Sequence, residues 1–213
     1  MTMTNLEFGS LGETWLNLLN ATVNEGARLG GEGFELLNVR VAFSYHEGDA
    51  AIQRFGNRQM IAEMHKVFFT DEPNSLGHSY RGMMRGPGGR QDFQDVIVLL
   101  RDESLSKRAV LTFQGPPAGK VPCINVVQFL VRDEALQAVY FARGQDAYKK
   151  FYADGICIAT MARRVADGLG LPVGTVSGLI ASSHVYDEDL PAIRQTLEQG
   201  KACLRVIQPE GVV

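Results

Sequence analysis

At 213 residues the chain is long enough for one domain with a full core and too short for two ordinary ones. Its 45% hydrophobic and 21% charged residues describe an ordinary globular protein, and a formal net charge of −3 gives no field to attract nucleic acid or an anionic membrane. Cys123, Cys157 and Cys203 lie far apart with no CxxC or Cys/His ligand spacing, which argues against a disulfide framework or a structural metal site.

The opening "MTMTNLEFGSLGETW" has neither a basic n-region nor an apolar h-region, and no apolar run reaches membrane-spanning length. The expected location is therefore the cytoplasm. "SLGETWLNLLNATVNEGARLG" predicts an amphipathic helix, with Ser10 and Glu13 as a capping box and Leu16, Leu19 and Val23 at helical spacing. "GGEG" (30–33) ends it, and "FELLNVRVAFSY" alternates like a strand. "NRQMIAEMHKVFF" (57–69) predicts a second helix with Met60, Met64, Val67 and Phe68 on one face. "TDEPNSLGHSYRGMMRGPGGRQ" reads as a long polar connection of the kind that carries function.

"FQDVIVLLRD" predicts a third helix, and "RAVLTFQ", "INVVQFLVR" and "LQAVYFARG" successive strands. "DGICIATMARRVADGLG" is a long helix with Ile158, Ala162, Val165 and Leu169 as its buried stripe, stopped by Gly168 and Gly170. "GTVSGLIASSHVY" is a further strand and "LPAIRQTLEQG" a short helix closed by Gly200. Strands grouped between helices make the fold class α+β, with a mostly central sheet, over a single domain spanning residues 1–213.

Cys123 follows a proline at the start of an apolar run, either as a packed thiol at a strand end or as a nucleophile. The order "VPC", "QFLVRDEALQAVYFARGQD", a helix opening at Asp154, then "SSHVY" resembles the thymidylate synthase superfamily, with the core match from about Ser106 to Tyr186. That resemblance implies a central mixed sheet flanked by helices, dimerisation by sheet packing, and a homodimer with shared active sites. It implies nucleotide and folate as small-molecule partners, with 5,10-methylenetetrahydrofolate or a related pterin as cofactor. No metal, nucleic acid or membrane is expected.

The chemistry such a site serves begins from a poor nucleophile. C5 of a pyrimidine attacks a one-carbon electrophile only after a thiolate has added at C6, which calls for a cysteine of depressed pKa beside cations. The resemblance gives that nucleophile role to Cys123, with Arg143 supplying positive field and binding phosphate. "SKR" (106–108) stands where the family carries "SRR", so Lys107 and Arg108 would reach the phosphate of the partner subunit; their other fate is a solvated turn. Gly144 replaces a family serine and removes one phosphate hydroxyl, and "RLGGEG" (28–33) corresponds to the family's N-terminal arginine loop. His184 and Tyr186, two apart on a strand, share one face and would hold the sugar hydroxyl.

Glu63, at the edge of the 57–69 apolar stripe, matches the glutamate that organises proton transfer, with pairing to Lys66 or Lys107 as its structural alternative. Tyr80 matches a tyrosine near the reacting cysteine, and Asp146 the aspartate that contacts the pterin or, alternatively, a partner of Arg143. Asp154 falls where thymidylate synthases carry a uracil-reading asparagine. An amide donates and accepts, whereas a carboxylate only accepts, so aspartate favours the exocyclic amine of cytosine. Asp154 before Gly155 could equally be an N-cap.

The reaction implied is hydroxymethylation of CMP or dCMP. "SLGETWL" looks like the compact archaeal synthases, so reductive methylation of dUMP is the alternative, and a non-catalytic nucleotide-binding paralogue a third reading. The sole tryptophan, Trp15, lies in the first helix, so no aromatic shield against water is expected in the central loop. Only residues 187–213 follow the last strand, with "IQPEGVV" as an abbreviated closing tail.

Overall fold

The computed structural model describes residues 3–44, 46–72, 79–85, 92–115 and 121–204. The chain opens with β1 (Thr4–Ser10), an element the sequence reading lacked, followed by α1 (Leu11–Glu25), β2 (Ala27–Leu29) and β3 (Gly33–Ser44). Then come α2 (Ala50–Phe55), α3 (Arg58–Phe69), α4 (Tyr80–Met83), β4 (Met84–Arg85) and α5 (Phe93–Asp102). The second half runs β5 (Val110–Phe113), β6 (Ile124–Arg132), β7 (Ala135–Ala142), β8 (Gln145–Asp146), α6 (Phe151–Leu169), β9 (Val173–Tyr186) and α7 (Leu190–Gln199).

The described strands form one mixed sheet in the order β1-β3-β9-β7-β6-β5-β4, with β2 on β3 and β8 on β9. β1 runs parallel to β3, and β7 and β8 parallel to β9; the other pairs are antiparallel. Parallel neighbours need a crossover, and α6 provides it between β7 and β9. β6 and β7 are instead joined tightly: Asp133 and Glu134 both take positive φ, 51° and 59°, as a two-residue hairpin turn requires.

Burial alternates along β7 and β9, which marks one core face and one open face. The buried stripe of α1, including Trp15, Leu18 and Leu19, and that of α6, including Ile158, Met161, Ala162 and Val165, belong to one contiguous core. On the open face Val126, Phe141, Leu179 and Arg40 stand in register across four strands, and Leu179 is 37% exposed.

Four local expectations change. The Ser10 hydroxyl does accept from the Glu13 N–H at 3.2 Å, so α1 begins as foreseen, but it ends at Glu25 rather than at "GGEG", and Ala27–Leu29 is a strand. Gly168 does not stop α6; it lies inside the helix, where a Cβ would come within 2.5 Å of Ile97 Cδ1 of α5. The stop is Gly170, left-handed at φ 71°. α6 also opens at Phe151 rather than Asp154, which puts Asp154 in its first turn. The polar connection around residue 80 contains α4 and β4, a short helix and strand without a legible period.

Candidate active site

Cys123 sits immediately before β6, held from two sides. Its carbonyl accepts the Arg143 N–H at 2.9 Å, while the Arg143 guanidinium folds back onto the carbonyls of Pro122 (Nε, 3.0 Å) and Val121 (Nη2, 2.6 Å). On the other side the Tyr80 hydroxyl accepts the Ile124 N–H at 3.1 Å, and its ring stacks on Phe68 at 4.2 Å. Nucleophile candidate, phosphate candidate and Tyr80 therefore converge on one strand end. The expected depressed thiol is not found: burial pushes Cys123 up, Arg143 and Lys150 oppose that, and Asp154 and Asp146 add to it. Lys150, whose charge favours both the Cys123 thiolate and ionised Asp154, was missed in the sequence because it resembles an ordinary surface lysine.

Asp154 is 4% exposed, and its Oδ2 accepts from Gln145 Nε2 at 2.8 Å; Gln145 is itself 2% exposed. Oδ1 is buried with no partner among the described residues. Burial raises the carboxyl to about 6, against the Gln145 hydrogen bond and Lys150. The N-cap alternative is overturned, because Lys150 occupies the cap and the Asp154 N–H donates to its carbonyl at 2.9 Å. Gly155 follows for packing rather than for a turn: a Cβ there would lie 2.6 Å from Leu11 Cδ1 of α1.

β8 brings the remaining candidates to the same end of the sheet. Asp146 pairs in register with His184, and the Ala147 N–H donates to the His184 carbonyl at 2.9 Å. Trp15 Nε1 donates to the Ala147 carbonyl at 2.8 Å, fixing this segment from the core. Asp146 Oδ1 accepts from the N–H groups of Tyr148 and Lys149, at 3.0 and 2.8 Å, which leaves Oδ2 as an acceptor. It does not pair with Arg143, so that structural alternative falls. Burial raises the Asp146 carboxyl. His184 and Tyr186 share a face as expected, ring centroids 5.5 Å apart.

Other candidates are exposed. Glu63 is exposed on α3, and neither proposed partner holds it, since Lys66 pairs with Glu72. Lys107 is exposed ahead of β5, its carbonyl accepting from Gln128 Nε2 at 2.7 Å. Arg108 pairs with Glu103 at 2.6 Å, an exposed ion pair of little energetic weight. In "RLGGEG", Arg28 makes a two-pronged pair with Asp187, at 2.7 and 2.9 Å, just beyond Tyr186. The tail "IQPEGVV" lies outside the described residues. A separate open cleft at the start of α1, lined by Ser10, Glu13, His46, Asp49 and Cys203 among others, contains none of the converging residues.

A thymidylate synthase family profile matches residues 45–208, which takes in Cys123, Arg143, Asp146, Asp154, His184 and Tyr186. The chain belongs to the thymidylate synthase family. Relatives include proteins named "Putative thymidylate synthase" from three archaea. The one from Methanothermobacter marburgensis is 23% identical over 78% of this chain and 72% of its own length. That from Methanococcoides burtonii is 23% identical over 89% and 92%. That from Methanocaldococcus jannaschii is 29% identical over 53% and 54%.

Within this thymidylate synthase family chain, Gly144 is buried, and an added Cβ would meet His184 Cε1 at 3.8 Å, an ordinary contact. Gly144→Ser is expected to fold normally and to tighten nucleotide monophosphate binding roughly threefold to tenfold by restoring a hydroxyl beside Arg143. Calorimetric titration of the variant and the parent measures it; equal affinities would remove Gly144 from the phosphate site.

Proposed function

We propose that the chain transfers a one-carbon unit from 5,10-methylenetetrahydrofolate to C5 of a pyrimidine nucleoside monophosphate, and that its reaction is hydroxymethylation of CMP or dCMP. The observation that carries this reading is the buried Asp154 carboxyl, its Oδ1 unpaired among the described residues, in the electrostatic neighbourhood of Cys123. A carboxylate oxygen there accepts from a cytosine amine and has nothing to donate to a uracil carbonyl.

Each side chain then has a task. The Cys123 thiolate adds to C6, and the C5–C6 electron pair moves into the ring, making C5 nucleophilic. Arg143 stabilises the thiolate and receives phosphate, and His184 and Tyr186 hold the sugar. Asp146 suits a folate, because Oδ2 remains an acceptor for a pterin N–H. Methylenetetrahydrofolate, when bound, supplies the electrophilic carbon. C5 gives up its proton as the new C–C bond matures, and Glu63 and Tyr80 are the candidates to relay it. Once the carbon's bond to the folate nitrogen breaks and tetrahydrofolate leaves as the amine, water would add to the methylene left on C5 to complete the hydroxymethyl group, and the C6–S bond breaks to release Cys123.

Lys107 and Arg108 complete the phosphate site only from a second copy. The half-exposed row Val126, Phe141, Leu179 on the open sheet face supports such a homodimer. Thymidylate synthesis from dUMP is the second reading, favoured by the relatives' names.

The test is hydrogen exchange at C5 of CMP, dCMP, UMP and dUMP, with and without methylenetetrahydrofolate. Exchange confined to cytosine nucleotides, followed by a hydroxymethyl product, is expected. Exchange with dUMP alone would move the reading to thymidylate synthesis, and binding without exchange to a nucleotide-binding paralogue.

A further inference from the structure

The base-reading carboxyl is not free to turn. Asp154 and Gln145 are both almost fully buried, and their 2.8 Å bond runs from an amide that can only donate at that atom. Oδ2 is thereby kept as an acceptor, so any proton on this carboxyl must sit on Oδ1. Oδ1 is also the atom with no partner among the described residues. Gln145 is placed by strand pairing, since it stands opposite Ser183 of β9, whose hydroxyl is 2.8 Å from that of Thr22. The pair thus joins the sheet to the first turn of α6 rather than resting on a loop.

We propose that Gln145 is a positioning residue that makes Asp154 Oδ1 a single-atom, proton-dependent reader of the base, accepting from the cytosine amine when ionised and donating to cytosine N3 or to the uracil carbonyl when protonated. This rests on the pyrimidine-nucleotide reading above and deepens it. Ionised, Oδ1 rejects the uracil carbonyl by lone-pair opposition; protonated, it serves either base and discrimination falls. The carboxyl is pushed up to about 6, so the change falls within an accessible pH range.

The groups facing Asp154 come from every neighbouring element. Asp146 lies on β8, and Lys150 precedes α6; Tyr152 and Cys157 lie on α6, Cys123 before β6, Tyr80 on α4 and Tyr140 on β7. Burial raises the tyrosines and cysteines, so they stay neutral through the window. His184 stands opposite Asp146, whose carboxyl burial also raises, and His184→Gln is the control for a contribution from that side.

The experiment measures dissociation constants of CMP, UMP and their deoxy forms between about pH 5.5 and pH 8, for the full-length protein, Gln145→Met, Gln145→Glu and His184→Gln. In the parent, preference for cytosine over uracil is expected to be roughly tenfold or more at the upper end and to collapse towards parity at the lower. Gln145→Met removes a hydrogen bond to the ionised form, and the isosteric Gln145→Glu adds a like charge. Both should move the midpoint to higher pH, while His184→Gln should leave it in place.

A cytosine preference flat across this range overturns the proposal, as does an unshifted midpoint in both Gln145 variants or a midpoint lost in His184→Gln. C5 exchange, run alongside, separates the failures. Cytosine-confined exchange with a flat preference sinks the role of Gln145 alone, whereas absent exchange sinks the reaction.

Discussion

Cys123→Ala is expected to abolish C5 hydrogen exchange and product formation, with a loss of at least about 10³-fold, while nucleotide dissociation constants change less than about threefold. The asymmetry follows from the geometry. Arg143 is anchored through its own backbone to the Cys123 carbonyl and through its guanidinium to Pro122 and Val121, so removing the thiol leaves that scaffold standing. Only the covalent step at C6 is lost.

The parent should also show a signature of its raised thiol. Below the thiol pKa the thiolate fraction grows about tenfold per pH unit, so exchange should climb between about pH 7 and pH 9. Exchange followed by mass spectrometry tests both points. Residual exchange in Cys123→Ala above the uncatalysed rate would assign the chemistry elsewhere.

Asp154→Asn is expected to change base choice and stability together. With Gln145 still donating, the amide oxygen takes the place of Oδ2 and the NH₂ takes that of Oδ1. The variant then offers a donor where the parent offers an acceptor, so binding should swing from cytosine to uracil by about two orders of magnitude in the ratio of affinities. Stability should rise, because an ionised carboxylate is no longer buried.

The folded-state pKa of about 6 exceeds the ordinary 3.8, so the folded protein holds this proton over a range where the unfolded chain has lost it. Below about pH 4 both states are protonated, and Asp154 carries no penalty. The penalty grows as pH rises through that window and is complete above about pH 6, at about 3 kcal/mol. Asp154→Asn should accordingly raise the Tm by roughly 5–10 °C at neutral pH and leave it nearly unchanged at pH 4. Thermal denaturation at the two pH values decides it: an equal gain at both would mean that packing, not charge, separates the variants.

Much of the fold was legible because its long elements carry clean periods. The apolar stripe of α6, the cap at Ser10 and the alternation along β9 all announce themselves locally. β1, β2 and β8 do not, because each is held by pairing to β3 or β9 rather than by its own pattern. The start of α6 was misplaced for a similar reason. An Asp-Gly step imitates a helix boundary, yet here the glycine serves contact with Leu11 and the aspartate faces inward.

The residues converging on Cys123 could be named from their order in the chain, but their electrostatics could not. Burial of the thiol, the contribution of Lys150 and the Gln145–Asp154 bond arise only when α4, α6, β6 and β8 meet. Glu63 shows another limit: a helical wheel puts it at the edge of a stripe, and only the fold shows that it is exposed.

The orphaned oxygen of Asp154 also has a meaning on the timescale of inheritance. Aspartate and asparagine codons differ by a single first-position base, and at this site the amide is expected to be the more stable occupant by about 3 kcal/mol at neutral pH. A lineage drifting without demand on this pocket would be drawn toward the easier residue. Retention of the aspartate among this chain's relatives is therefore the expected mark of a protein kept for what the carboxylate recognises.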